Sequence, residues 1–162
     1  MYSRDEKRAL VQEFWDSFDV YCAAQNRQHG VRVKWMLDQT GIKDLDLRFE
    51  VGRKCSSVIL EVTSRNEDKR LLVFELLSQY RLLIEDGFEE PLDWDLIYEK
   101  ENGHVVSRVW ISLCDVDIHK PKHWERMMAF MYTNMCLLQE NFCDVKDVLE
   151  DKIRHLYDQG LI

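Results

Sequence analysis

Residues 44–63, DLDLRFEVGRKCSSVILEVT, decide the fold because they contain two segments of alternating polarity. Segments 45–51 and 57–63 each place an apolar side chain at every second position, which is the period of a β-strand with one face on the core. Pairing that buries both apolar rows brings the polar rows together on the opposite face. These polar rows contain three carboxylates, Asp46, Glu50 and Glu61.

The residues before this stretch predict a helix and a further strand. Ser3 and Glu6 have the spacing of a capping box, and apolar residues at helical spacing extend this helix to about Ala24, with a break by His29-Gly30. Segment 31–37 alternates again, so it predicts a first strand that joins the other two in an antiparallel meander. Its polar row carries two cations, Arg32 and Lys34.

The residues after the stretch predict a helix followed by a hairpin. Ser64 and Glu67 form a second predicted capping box, which opens a helix from Arg65 to Asp86. Segments 94–100 and 105–113 then predict two strands around an Asn-Gly turn. The predicted fold is therefore a single α+β domain over residues 1–162, with an N-terminal helix, a three-stranded antiparallel meander, a central helix, a β-hairpin and a long C-terminal helix.

The C-terminal apolar stripe predicts one helix over about 120–157, or two stacked helices. Residues 128–149 also satisfy the a and d positions of a heptad, so a homodimer through this helix is a second possibility. The flanking e and g positions, however, do not carry the opposite charges that select coiled-coil partners. Packing of the stripe against the protein's own sheet is therefore the favoured interpretation.

Composition and charge exclude several classes of protein. No apolar run approaches the roughly 20 residues of a membrane helix, and the N-terminus is too charged for a secretory signal, which together predict a cytoplasmic protein. The five cysteines contain no CxxC pair, so neither a disulfide framework nor a zinc site is predicted. The net charge is −8, and the seven Lys or Arg against four acids in residues 27–54 are a small excess for a nucleic-acid surface.

The order of helices and strands resembles the core of the PD-(D/E)XK nuclease fold, which suggests an alternative function. That resemblance implies a Mg²⁺ site in which Asp46 or Glu50 supplies the first acid and Glu61 the second. The nuclease lysine would stand two residues after the second acid, where this chain has Thr63. Lys69 on the next helix is the remaining candidate for the lysine. The alternative is thus a divergent or inactive Mg²⁺-dependent, nucleic-acid-binding domain.

A second resemblance covers nearly the whole chain. Its residues lie on the first helix, the middle helix and its end, the following loop and the last helix: Phe14-Trp15 with Phe18, Leu71 to Leu77 with Phe74, Ile84-Glu85, Leu92-Asp93-Trp94, and Trp124 with Phe142. These residues resemble the bacterial domain-of-unknown-function family 4268, whose members occur alone or attached to nuclease-like domains. The resemblance implies an accessory or interaction module and offers no catalytic residues.

The favoured function is therefore a non-catalytic interaction domain, with no cofactor and no metal, that binds another protein. Its predicted surface is either the polar sheet face, where Arg32, Lys34 and Arg48 supply the positive charges, or the C-terminal helix. Nucleic acid is a less favoured partner, and a membrane is not expected.

Overall fold

The computed structural model describes residues 1–30 and 40–162. In chain order they form helix α1 (Arg4–His29), strands β1 (Leu45–Val51) and β2 (Cys55–Val62), helices α2 (Glu67–Ser78) and α3 (Arg81–Ile84), strands β3 (Asp93–Glu99) and β4 (Val105–Cys114), and helix α4 (Trp124–Asp158). The predicted strand 31–37, with Arg32 and Lys34, lies outside the described residues. Within the described ranges, no helix is long and apolar enough to cross a membrane.

The four strands form one antiparallel sheet in the order β1-β2-β4-β3. The predicted hairpin is therefore not a separate unit, because β4 pairs with β2 and extends the β1-β2 pair to four strands. The described part of the predicted meander is confirmed, since β1 pairs antiparallel with β2, while its first strand, 31–37, is not among the described residues. β2 is a central strand: its Val58, Ile59 and Leu60 are all inaccessible to solvent, and the backbone N–H and C=O groups of a buried strand need hydrogen-bond partners on both edges.

Helix α1 begins at the predicted cap and ends at the predicted break, His29-Gly30. The Ser3 hydroxyl accepts the Glu6 amide at 3.2 Å, and the Glu6 carboxylate accepts the Ser3 amide at 2.6 Å, which confirms the capping box. The helix continues beyond Ala24 to His29 because Gly30, at φ 69°, is the first residue that supplies a left-handed stop.

The predicted central helix 65–86 is wrong in its start and its continuity. Asn66, not Ser64, caps α2, because the Asn66 side chain accepts the Lys69 amide at 3.1 Å. At the other end, the Ser78 hydroxyl donates to the Phe74 carbonyl at 2.8 Å, a contact that bends helices. The helix stops at this point, and α3 follows as a separate turn.

Helix α4 is a single helix, which confirms the first of the two predicted alternatives, and a 3-10 turn over Pro121–His123 precedes it. Its apolar stripe lies inside the hydrophobic core with the inner row of the sheet and Phe14 and Phe18 of α1. The buried apolar residues of α4 are Trp124, Met127, Met131, Tyr132, Met135, Leu138, Phe142, Val145, Leu149 and Ile153. The core therefore lies on one side of the sheet, and the opposite face carries the charged row.

Candidate functional site

The sheet face opposite the core, called the outer face below, collects charged residues from three strands. The strand register places Glu61 of β2 directly between Asp46 of β1 and Arg108 of β4. Side chains of directly paired residues in a sheet project to the same side. Two further charged residues of β1, Arg48 and Glu50, lie in the same row.

Glu61 is the centre of this arrangement. Its side chain has no solvent exposure and is surrounded by three cations. Oε1 accepts Arg48 Nη1 at 3.0 Å and Lys100 Nζ at 2.8 Å, while Oε2 accepts Arg108 Nη2 at 3.2 Å. A buried carboxylate requires partners of this kind, because an isolated buried charge is very costly.

Arg108 links Glu61 to a second carboxylate and to an aromatic ring. Its Nη2 also donates to Glu50 at 2.7 Å, and the guanidinium carbon lies 4.1 Å from the centre of the Tyr98 ring. Burial alone would lower the pKa of Arg108, but the hydrogen bond to Glu50 and the charges of both carboxylates raise it above its ordinary value. Arg108 therefore stays positive although it is 2% exposed.

Asp46 lies at the edge of this network. Burial raises the pKa of Asp46 above its ordinary value, and the negative charge of Glu61 raises it further, although the charge of Arg48 opposes the shift. Asp46 is thus easier to protonate in the folded protein than in an unfolded chain.

A cleft of about 450 Å³ opens beside the network. Its walls are the end of β1 and the tip of the β3-β4 hairpin, and its lining residues are Arg48, Glu50, Val51, Tyr98, Lys100, Glu101 and Asn102. The hairpin tip is tight because Gly103 adopts φ 82° and donates its amide to the Lys100 carbonyl at 2.9 Å. This turn positions Lys100 so that its side chain reaches Glu61.

The structure brings together four of the predicted site residues and separates a fifth. Asp46, Arg48, Glu50 and Glu61 share the outer face. Lys69 does not join them. Its Nζ donates to the Asp44 carboxylate at 3.2 Å and to the Tyr157 hydroxyl at 2.6 Å, so it connects α2 to α4.

Sequence reasoning missed Tyr98, Lys100 and Arg108. Segment 105–113 gives no period-2 signal for Arg108, because Ser107 and Arg108 are adjacent polar residues in a largely apolar segment. Its Asn-Gly turn predicts only the pairing with the other strand of the hairpin, whereas the pairing with β2 depends on residues distant in the chain.

These residues do not fit a magnesium ion. Both oxygens of Glu61 are occupied by cations, which compete with a metal for the same lone pairs. Across residues 1–30 and 40–162, no group of three His, Cys, Asp or Glu side chains is arranged to hold a metal.

The family model for a domain of unknown function, DUF4268, matches residues 10–146. This range begins in α1, ends in α4 and includes the whole sheet with its outer face. A search of the curated proteins found no match, and a search of the solved structures found none. The family match confirms the resemblance that the sequence predicted, and the chain belongs to the DUF4268 family.

Proposed function

We propose that the chain is a non-catalytic interaction domain that binds a segment of another protein in the outer-face cleft. The observation that carries this proposal is the state of Glu61, whose two oxygens accept hydrogen bonds from Arg48, Lys100 and Arg108. A carboxylate held in this way serves as the support of a binding surface and is a poor acid, base or metal ligand.

The cleft presents both signs of charge to a partner. The side chains of Arg48 and Glu50 are 41% and 39% exposed, so each can form a further contact while it stays in the network. Glu101 and Asn102 lie on the opposite rim and are exposed. A protein segment with alternating acidic and basic side chains is complementary to this surface, whereas a polyanion would meet Glu50 and Glu101.

The volume of the cleft suits a few side chains, since ligand pockets commonly occupy about 300–1,000 Å³. Tyr98 supplies an aromatic wall that is fixed by its contact with Arg108. Rigid aromatic residues of this kind are enriched among the residues that dominate binding energy. The partner segment is therefore expected to insert side chains between β1 and the hairpin tip.

Site-specific photo-crosslinking tests the proposal. A photoreactive amino acid at Glu101 should cross-link one discrete protein in a lysate of the source cells, and the same amino acid at Glu13 on α1 should not. Both positions are exposed, so neither substitution is expected to disturb folding. Binding of the purified partner should then weaken by about tenfold or more in Glu101→Trp, which obstructs the cleft, and stay unchanged in the matched control Glu13→Trp.

The competing outcome is a nucleic-acid ligand. Cleavage of single- or double-stranded DNA or RNA that needs Mg²⁺ and disappears in Glu61→Gln, under conditions where circular dichroism shows this variant folded, would overturn the proposal. Equal binding of the purified partner to wild type and Glu101→Trp would instead move the interaction away from the cleft.

A further inference from the structure

Two of the five cysteines are direct partners across the centre of the sheet. Cys55 at the start of β2 pairs with Cys114 at the end of β4 in the antiparallel register. The next pair on the same face is Ser57 with Ser112, whose hydroxyl oxygens lie 2.6 Å apart. Side chains of this ladder therefore meet across the two strands.

The separation between the two cysteines is suitable for a disulfide. Opposed residues of an antiparallel pair have Cα atoms about 4.5–5.5 Å apart, and a disulfide requires about 4.4–6.8 Å. A hydrogen bond with Cys114, followed by burial, raises the pKa of Cys55 to about 11, which is consistent with thiols that face each other. In the structure both thiols are free.

We propose that Cys55 and Cys114 form a reversible dithiol–disulfide site whose oxidant is a low-mass disulfide such as oxidised glutathione. The thiolate of Cys114 attacks one sulfur of the oxidant, and the oxidant's S–S bond breaks to release one thiolate. The Cys55 thiolate then attacks the Cys114 sulfur of the mixed disulfide and releases the second. Two electrons pass from the cysteines to the oxidant, and the two protons leave on the released thiols.

The exposure of the two thiols gives the order of these steps, and nearby charges act on the approach of the oxidant. Cys114 is exposed and reachable by a small molecule, whereas Cys55 is half-buried beneath the turn and acts second. The turn before Cys55 carries two exposed cations, Arg53 and Lys54, which attract the carboxylates of glutathione, while the exposed Asp115 beside Cys114 opposes part of this attraction.

The disulfide would join strands whose residues hold the charge network. Its bond closes the loop between residues 55 and 114 and fixes the register that places Glu61 opposite Arg108. Oxidation is therefore expected to stabilise the outer face without rebuilding it. This effect is independent of whether the cleft binds a protein.

Incubation of the reduced full-length chain with oxidised glutathione tests this site. Peptide mapping of the wild type without reductant should join the Cys55 and Cys114 peptides with no glutathione on either, and intact-mass measurement of Cys143→Ser, which lacks the exposed thiol of α4, should show the loss of two hydrogen atoms. The melting temperature of the oxidised chain should rise by about 10 °C and return on reduction.

Variants separate the two steps. Cys55→Ser should stop at a mixed disulfide, with one glutathione on Cys114, whereas Cys143→Ser should form the Cys55–Cys114 disulfide like the wild type because Cys143 lies on α4 and is not part of the pair. A wild-type product that keeps glutathione on Cys114, or that links two chains through Cys114, would overturn the proposal. Because the mapping uses the wild-type chain, a variant that failed to fold would leave the test intact.

Discussion

The carboxylate of Glu85 accepts the indole N–H of Trp94 at 2.7 Å. The same oxygen also accepts the Leu92 amide at 3.2 Å and the Arg81 Nε at 3.1 Å. Trp94 in turn packs against Phe74 in the core. Glu85 therefore fastens the end of α3 to the start of β3. Glu85 and Trp94 are among the residues that carry the family resemblance, and these contacts give both a structural role.

Replacement of Glu85 by Ala should lower the free energy of unfolding by about 2–3 kcal/mol. The variant leaves the Trp94 indole and the Leu92 amide without their acceptor, and an unsatisfied buried donor costs about 1–3 kcal/mol. Urea unfolding followed by tryptophan fluorescence measures the change. The matched control is Glu89→Ala, because Glu89 is exposed and has no ion pair among the described residues. Equal midpoints for the two variants would show that Glu85 is dispensable.

Replacement of Glu61 by Gln should be more damaging, with a loss of about 3–5 kcal/mol. The reason is that Arg48, Lys100 and Arg108 would then face one another without the carboxylate that compensates them. Chemical denaturation of Glu61→Gln measures this loss. The control is Glu101→Gln, because Glu101 is an exposed glutamate on the cleft rim.

A second variant shows whether this loss arises from charge. Glu61→Gln combined with Lys100→Met removes one of the unpaired cations and should recover part of the stability. If the double variant were as unstable as the sum of the single variants, the repulsion between the cations would not be the cause.

Local patterns predicted the parts of the fold that depend on local forces. The Ser3 capping box and the alternation in β1 needed only neighbouring residues, and both are confirmed. The prediction that Ser64 caps the second helix is wrong because Asn66, two residues later, is an equally good cap. No sum of local preferences distinguishes two such candidates when each would satisfy the helix end.

The sequence predicts only part of the candidate site, and the reason is again the difference between local and distant contacts. The β1-β2 hairpin is local, so Asp46, Arg48, Glu50 and Glu61 could be placed on one face from their alternation alone. Lys100 and Arg108 reach Glu61 from 39 and 47 residues away along the chain, through a strand pairing that depends on burial of β2. These two cations neutralise Glu61, the carboxylate that the nuclease-like alternative assigns to Mg²⁺.

The raised pKa of Asp46 predicts a specific dependence of stability on pH. Because the Asp46 carboxyl is harder to ionise in the folded state, its ionisation lowers the free energy of unfolding at a pH above the pKa of the folded state. This destabilisation disappears as the pH falls through the folded pKa to the pKa of the unfolded chain. Asp46→Asn should therefore be more stable than the wild type at pH 7, and the difference should shrink at about pH 3.5. Urea midpoints at the two pH values measure it.

The control for this prediction is Asp93→Asn, an exposed aspartate of β3 in the same sheet. It should not reproduce the gain at pH 7. A wild type that is more stable than Asp46→Asn at pH 7 would mean that the Asp46 carboxylate is favoured by its surroundings, opposite to the expected direction.

Substitutions on α4 test whether its apolar stripe packs inside the monomer or forms the contact of a dimer. Met135 is 1% exposed and belongs to the core of the monomer, so Met135→Lys should bury an ammonium group and lower the free energy of unfolding by about 4 kcal/mol or more. Val148 on the same helix is 39% exposed, and Val148→Lys should leave stability nearly unchanged. Circular dichroism and sedimentation of both variants measure the outcome. If the wild type is a dimer and Met135→Lys is a folded monomer, the dimer contact lies on the apolar stripe. If the wild type is a dimer that Val148→Lys alone dissociates, the contact lies on the exposed side of α4.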